Sequence, residues 1–322
     1  MILIPFVSLS IGIMLGLNVK HEKFFIYSDK ASTLALILLM LIIGLGIGLD
    51  KSIVDNLLKI GINCVIIGVS AIVFSILCTF IVEKTILPLN RIDRVLAEKN
   101  IQIKAERKEN ELFKDEEDKK GSNLVWIMPA SIVIGLVAGI FLRTVISTSV
   151  TDSFFTVALI VLYICVGISQ GANKVVFFYL KLIGFKVVFV PIAILFGSLI
   201  GGIFSGFVLK LPLYISITSA AGMSFYSITG AYMTQQYGIE IGTYGFIVNV
   251  MREFFTVLTM PLLIKISQGA PIAAGAAGDM DTMLAPITKF VGIRLSLVAL
   301  LTGTLLTIVV PLLLPVVSVI FR

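Results

Sequence analysis

Four acidic residues lie in or at the edge of long apolar segments, where carboxylates are unusual. They are Asp50, Glu253, Asp279 and Asp281, and they belong to only nine acidic residues found outside one charged linker. A charged side chain at the centre of a bilayer costs about 2.5–3.5 kcal/mol even on the lenient insertion scale, so such groups usually line the path of a substrate or ion. Their chemistry is therefore expected to be the binding of cations or protons.

A second polar cluster is predicted on one helix face. Asn249, Arg252 and Glu253 are spaced three and four residues apart, so they share a face of their helix. An Arg and a Glu in mid-membrane must be paired or hydrated. An ion pair that locks helices and a direct role in binding both fit this spacing, and both turn the residues toward the bundle interior.

Two stretches combine polar residues with helix breakers. Gly278 precedes Asp279 and Asp281, and irregular backbone at membrane depth is tolerated where it lines a cavity or is buried in protein. A surface loop is the alternative, but the apolar run 270–277 favours the cavity. The second stretch is 219–227, where a broken helix with free N–H groups would suit a carboxylate and a kinked span is the alternative.

The second stretch supplies candidate binding residues, which are Ser224, Tyr226 and Ser227, with Gly222 at the break. Asp50 follows Gly44 and Gly48, and it either faces the bundle or caps its span at the interface. Together, the carboxylates suit cationic groups and the break suits an anionic group. A cationic amino acid fits this description, and so, less specifically, does an alkali cation.

Composition defines the protein class. The 322 residues are 58% hydrophobic and only 14% charged, with a mean hydropathy of +1.07, which predicts an all-α polytopic membrane protein. The basic residues fall between apolar segments, so nucleic acid is not an expected partner. One histidine and three separate cysteines exclude a zinc site, a haem motif or a disulfide framework, and no cofactor or metal is expected.

The first two thirds of the chain form a repeat. A shift of 123 positions lays residues 1–80 on 124–203 without a gap and aligns glycines, an Asp and a Lys in one register. Each copy has three apolar segments long enough to cross about 30 Å of hydrocarbon. The predicted spans are Ile2–Leu17, Leu34–Leu49 and Ile60–Val82, then Leu124–Leu142, Phe154–Gln170 and Val187–Leu209. Because three spans are an odd number, the second copy is inverted, as in many secondary transporters.

The predicted regions are therefore residues 1–82, 83–123, 124–209 and 210–322. The second region is a linker with ten basic and ten acidic residues, which the positive-inside rule places in the cytoplasm, with both termini outside. In the last region, Leu211–Gln235 and Gly269–Val291 are predicted to be re-entrant, while Ile241–Ile266 and Leu295–Ile320 span. The total is eight transmembrane helices and two re-entrant segments; whether the first of these segments spans instead stays open.

The order of three motifs resembles the lysine exporter LysO family, also known as the DUF340 membrane proteins. They are Gly222-Met-Ser-Phe-Tyr-Ser227, Asn249-Val-Met-Arg-Glu253 and Ala277-Gly-Asp-Met-Asp-Thr-Met-Leu284. The resemblance implies lysine efflux across a prokaryotic inner membrane, coupled to proton entry, rather than catalysis. It also implies that Asp50 and Asp281 are the aspartates essential for export, and that Arg252 and Glu253 match the family's Arg-Glu pair.

Two features depart from the family's pattern. Asp279 stands where a small hydroxyl residue is common, and Leu284-Ala-Pro286 displaces a proline that usually follows the Leu. The extra carboxylate adds a proton site or alters the preferred cation. The alternative function is a cation:proton antiporter or channel without amino-acid specificity. Because the small-residue faces can pack within one chain or between two, a homodimer also stays open.

Overall fold

The computed structural model describes a bundle of helices. It describes residues 3–19, 22–49, 51–89, 130–142, 148–172, 180, 183–292 and 294–321. Residues 90–123 of the predicted linker and Asp50 lie outside these residues, whereas residues 83–89 lie within them. No strand occurs in the described ranges, so the all-α prediction is confirmed there.

The helices of the two predicted repeats follow the apolar segments. The first copy contains α1 (Leu3–Asn18), α2 (Glu22–Leu49) and α3 (Lys51–Thr85). The second contains α4 (Ala130–Leu142), α5 (Thr148–Ala172) and α6 (Phe189–Leu209), with a 3-10 turn at Phe185–Val188 before α6.

The remaining helices are shorter or interrupted. They are α7 (Leu213–Ala220), α8 (Tyr226–Tyr237), α9 (Ile239–Ile266), α10 (Gly269–Gly275), α11 (Leu284–Val291) and α12 (Ser296–Ile320), with a 3-10 turn at Ala276–Met280. The two segments predicted to contain helix breaks are indeed broken, at residues 221–225 and 276–283.

Six of the described helices are long and apolar enough to cross a membrane. They correspond to α2, α3, α5, α6, α9 and α12, and they make the chain a multi-pass membrane protein. The prediction of eight spans is met only in part, because the described parts of α1 and α4 are shorter apolar helices.

Small residues bring the two copies together within one chain. Gly44 lies against the Ile132 carbonyl, and Gly167 lies against the Leu9 carbonyl. A Cβ atom at either glycine would collide with that carbonyl. Ile132 is the equivalent of Leu9 in the second copy, and Gly167 is the equivalent of Gly44. The two contacts are therefore the same contact, with the roles of the first and second copies exchanged. The same holds for Gly48 against Leu136 and Gly171 against Ile13.

The helices α3 and α6 cross closely at the centre of this arrangement. Gly197 packs against the backbone of Phe74 and Ser75, and Gly201 packs against Ser70 and Ala71. The inward face of α6 carries small residues, whereas its outward face carries exposed large side chains at Phe189, Ile192, Phe196, Ile200, Phe204 and Phe207. This distribution is typical of membrane helices, which pack through small residues and present large apolar ones to lipid.

Each broken segment folds back on itself as a hairpin. In the first hairpin, α7–α8, the Tyr214 and Tyr237 rings lie 4.9 Å apart, and the Ser219 hydroxyl donates to the Met233 sulfur at 3.6 Å. These two contacts show that α7 and α8 run antiparallel. In the second hairpin, α10–α11, Gly275 packs against the Ile287 side chain. The residues that join the two helices of each hairpin, 221–225 and 276–283, are the hairpin tips.

We expect Gly44→Ala and Gly167→Ala to destabilise the protein by similar amounts, about 1–3 kcal/mol each, because each overpacks an equivalent helix crossing. The melting temperature of the purified protein in detergent measures the effect. Gly61→Ala is the control, since nothing lies within 4 Å of a Cβ atom at that helical glycine. An unchanged melting temperature for Gly44→Ala would contradict the close helix approach.

Candidate functional site

The centre of the site is one face of α9. As the spacing predicts, Asn249, Arg252 and Glu253 turn toward the interior of the bundle, where Asn249 and Arg252 are fully buried and Glu253 is partly buried. Each of the three side chains contacts a different part of the two hairpins.

Asn249 holds the tip of the first hairpin. Its Oδ1 accepts the Ser224 N–H at 2.8 Å, and its Nδ2 donates to the Ser219 carbonyl at 2.9 Å and to the Gly245 carbonyl at 2.8 Å. The end of α7 leaves backbone groups without helical partners, and this amide satisfies two groups at the break. Gly222 is required beside it, because a Cβ atom there would collide with the Asn249 amide.

Arg252 holds the second hairpin and is 1% exposed. Its guanidinium donates to the carbonyls of Ala273 and Ala274, each at 3.0 Å, in the last turn of α10. It also donates to the hydroxyls of Ser198 and Ser75. A cation is favourable at the negative end of a helix, so Arg252 caps α10. All four of these acceptors are neutral, so the ion pair considered for Arg252 and Glu253 is not what holds either side chain.

Glu253 contacts the tip of the second hairpin instead. Its Oε1 accepts the Thr282 hydroxyl at 3.0 Å, while the Thr282 N–H donates to Asp281 Oδ1 at 2.6 Å. Thr282 therefore connects two of the four carboxylates singled out in the sequence. Gly278 lies close to the Glu253 carboxylate, where a larger residue would crowd it.

The two hairpin tips bond directly to each other. The Ala277 N–H donates to the Met223 carbonyl at 2.9 Å. The backbone is strained on both sides of this bond, since Met223, Ser224 and Ala276 have φ values of 47°, 74° and 54°. Non-glycine residues rarely adopt such values, which concentrate at binding and switching sites.

Asp279 and Asp281 have different environments within this tip. Asp279 is 0% exposed, and neither of its carboxylate oxygens has a hydrogen-bond partner among the described residues. It packs against Gly275 and Gly303, whose missing side chains make room for it. Asp281 is exposed at the tip. Asp279 interacts electrostatically with Arg252, Asp281 and Glu253, so the three carboxyl groups and the guanidinium form one cluster of ionisable groups.

The sequence model of one protein family matches most of this chain. The model for the lysine exporter LysO matches residues 6–96 and 130–318, which include most of both predicted repeats, both hairpins and all three residues of the α9 face. The chain belongs to the lysine exporter LysO family.

Two curated relatives are similar to part of this LysO-family chain. A protein named lysine exporter LysO from Escherichia coli (strain K12) is 28% identical over 182 residues, which are 56% of this chain and 60% of the relative. A protein provisionally named lysine exporter from Haemophilus influenzae (strain ATCC 51907) is 29% identical over 117 residues, 36% of this chain and 60% of the relative. The matches thus span about three fifths of each relative's length. No solved structure matches the chain significantly.

The remaining predicted residues of this LysO-family site lie at the same tips. Ser224 and Ser227 are buried, and the Ser224 hydroxyl has no hydrogen-bond partner in the part of the chain that the structure describes. The Tyr226 ring packs edge-on against Phe246 at 5.5 Å. Asp50, which the resemblance pairs with Asp281, lies outside the described residues, so its place relative to the tips stays a prediction.

Sequence reasoning missed three residues that contact the α9 face, namely Ser75, Ser198 and Thr282. Thr282 had a signal, because it lies between residues already chosen. Ser75 and Ser198 had a different signal in the sequence. They are identical polar residues at equivalent positions of the two repeats, and each lies within an apolar helix. Only the crossing of α3 and α6 brings this pair to Arg252.

We expect Asn249→Ala to loosen the first hairpin tip, because it leaves the Ser224 N–H without its partner and removes one of the two donors to the Ser219 carbonyl, which keeps the Gly222 N–H. Each buried group left unsatisfied costs about 1–3 kcal/mol. Hydrogen exchange measured by mass spectrometry should show faster exchange in a peptide containing Ser224. Thr259→Ala is the control on the same helix, since Thr259 bonds only to the Phe255 carbonyl within α9. Unchanged exchange in the Asn249 variant would show that this amide does not hold the tip.

Proposed function

We propose that the protein exports L-lysine, and related cationic amino acids, across a prokaryotic inner membrane in exchange for protons. The observation that carries this proposal is the direct bond between the two hairpin tips beside three carboxylates, one exposed and one fully buried. Membrane transporters commonly bind substrate where helices are broken near the midplane. The names of the two relatives agree with lysine as the substrate.

The groups at the tips match the charges of lysine. Asp281 is the exposed carboxylate, and we assign it to a substrate ammonium group. The residue before α8, Phe225, makes no side-chain capping hydrogen bond to the helix, which begins at Tyr226. The positive end of that helix and the unpartnered Ser224 hydroxyl are suited to the substrate carboxylate, with Ser227 in the same turn. Arg252 and Asn249 already hold backbone groups, so we assign them to positioning the tips.

Proton coupling follows from competition at one carboxylate. A carboxylate that lies beside other carboxylates holds a proton more readily, and exchange of that proton for an ammonium couples their movements. We assign this exchange to Asp281, with Asp50 as its partner. Asp279 has no access to lysine in this conformation, because it is fully buried, so a proton is the ligand that suits it. Glu253 is linked to this exchange because it accepts the hydroxyl of Thr282, whose N–H donates to Asp281.

The proposed architecture has inverted repeats and two re-entrant hairpins. Glycine contacts that recur with the copies exchanged support the repeats, and the antiparallel ring and side-chain contacts support hairpins that enter and leave on one side. With the charged linker in the cytoplasm, both termini face outward. The third spans, α3 and α6, then cross the membrane in opposite directions.

We expect Asp281→Asn to abolish lysine efflux driven by a proton gradient. The change removes a charge-assisted interaction of about 1.5–3 kcal/mol with the substrate ammonium, which corresponds to a loss of about tenfold or more. Proteoliposomes loaded with radiolabelled lysine and placed in acidic buffer measure this rate. Asp55→Asn is the matched control, because Asp55 is an exposed acid near the start of α3. Full gradient-driven efflux by Asp281→Asn would refute the assigned exchange.

The same proteoliposomes test the second candidate function. The buried, unpartnered Asp279 carboxylate favours a small cation as much as a proton, which is the specific observation behind a cation:proton antiporter. Movement of sodium with the pH gradient, together with insensitivity to lysine in the wild type, would support that function. Lysine-dependent proton movement without any sodium requirement would exclude it.

A further inference from the structure

Two serines of the repeats meet each other. Ser75 and Ser198 are equivalent positions, since they differ by 123, and their hydroxyl oxygens lie 3.2 Å apart. In a structure with two equivalent copies, a residue touches its own equivalent only at the local two-fold axis. The glycine contacts between α2 and α4 are likewise equivalent to those between α1 and α5, with the two copies exchanged. The serine pair therefore marks the axis that relates the repeats.

The guanidinium of Arg252 lies on this axis. It donates to both serine hydroxyls, and its other bonds go to the Ala273 and Ala274 carbonyls at the end of α10. All three side chains are fully buried. Arg252 thus connects the point where the repeats meet with the hairpin that carries Asp279 and Asp281.

The bonds at the axis are not symmetric. The Ser75 hydroxyl donates to the Ile194 carbonyl at 3.2 Å. Because a hydroxyl has one hydrogen, the bond between the serines must then run from Ser198 to Ser75. The equivalent of Ile194 in the first copy is Ala71. No bond from Ser198 to the Ala71 carbonyl accompanies the one from Ser75 in the structure, so the hydroxyl chain has a direction.

We propose that Ser75 and Ser198 are positioning residues that exchange roles during transport. In the opposite-facing state, Ser75 donates to Ser198, Ser198 donates to the Ala71 carbonyl, and Arg252 remains bonded to both. The inference rests on the proposed transport, because inverted repeats alternate by exchanging the conformations of the two copies. The direction of the hydroxyl chain then distinguishes the two states. Arg252, which bonds both serines and the end of α10, transmits the change to the hairpin tip.

Opposite effects of equivalent substitutions test this proposal. Ser75→Ala removes the bond to Ile194, which stabilises the present state, whereas Ser198→Ala removes the bond to Ala71, which stabilises the other. We expect the two variants to shift the population ratio in opposite directions, by about three- to tenfold each, for a net hydrogen bond of typical strength. The double variant should return the ratio toward that of the wild type. A structural role alone would give shifts of the same sign.

Distances between spin labels measure the populations without requiring transport. Labels at Leu58 and Phe207 suit this purpose, because both side chains are exposed, at 82% and 70%, and lie toward the same ends of α3 and α6. Distance distributions are recorded for the full-length protein in lipid nanodiscs. Ser205→Ala is the control, since its hydroxyl bonds only locally to the Gly202 carbonyl, and it should cause no shift.

Further variants and the flux assay separate the possible failures. If an alanine variant does not fold, Ser75→Cys and Ser198→Cys retain a weaker donor and should give smaller shifts of the same opposite signs. Shifts of equal sign, or no shift in any variant, overturn the proposal. Lysine efflux of the wild type is measured in parallel. Opposite shifts in a protein that moves no lysine would uphold the serine exchange and refute only the substrate.

Discussion

The buried guanidinium of Arg252 is the interaction on which the arrangement of the site depends. Lipid offers no hydrogen bonds, so a broken helix at membrane depth persists only if other protein groups satisfy its free carbonyls and N–H groups. Arg252 does this for the end of α10, and Asn249 does it at the first tip. The polar face of α9 is thus what allows two hairpins to end inside an apolar bundle.

The burial of this charge has a further effect on the carboxylates. Its hydrogen bonds go to neutral oxygens, so its charge is not cancelled by direct contact and acts on Asp279 and the neighbouring acids through space. Interactions over such distances are strong in a low dielectric. One fixed positive charge beside three carboxylates leaves a cluster that favours additional positive charge, whether it arrives as a proton or as an ammonium group. The site's preference for cations therefore follows from the cluster as a whole.

Much of this organisation could be predicted from the sequence. The shift of 123 residues anticipated which glycines would be equivalent, and the spacing of Asn249, Arg252 and Glu253 placed them on one interior face. The partners of these side chains could not be predicted, because the spacing along one helix says nothing about which helix crosses it. The serines that bond Arg252 lie 177 and 54 residues away, and the bond between Ala277 and Met223 joins two breaks that looked independent. The span predicted at Leu124–Leu142 is longer than the described helix α4, whereas α1 has the predicted length of 16 residues.

The proposed position of Arg252 on a local two-fold axis also bears on how the protein responds to the membrane potential. When one elementary charge moves across the full membrane potential, its free energy changes by about 2.3 kcal/mol for every 100 mV. An exchange of conformations between the two repeats leaves a group on their common axis at the same depth. The most deeply buried cation of the described site then carries no charge through the electric field, and the voltage dependence of the cycle rests with the substrate, the protons and the carboxylates that bind them.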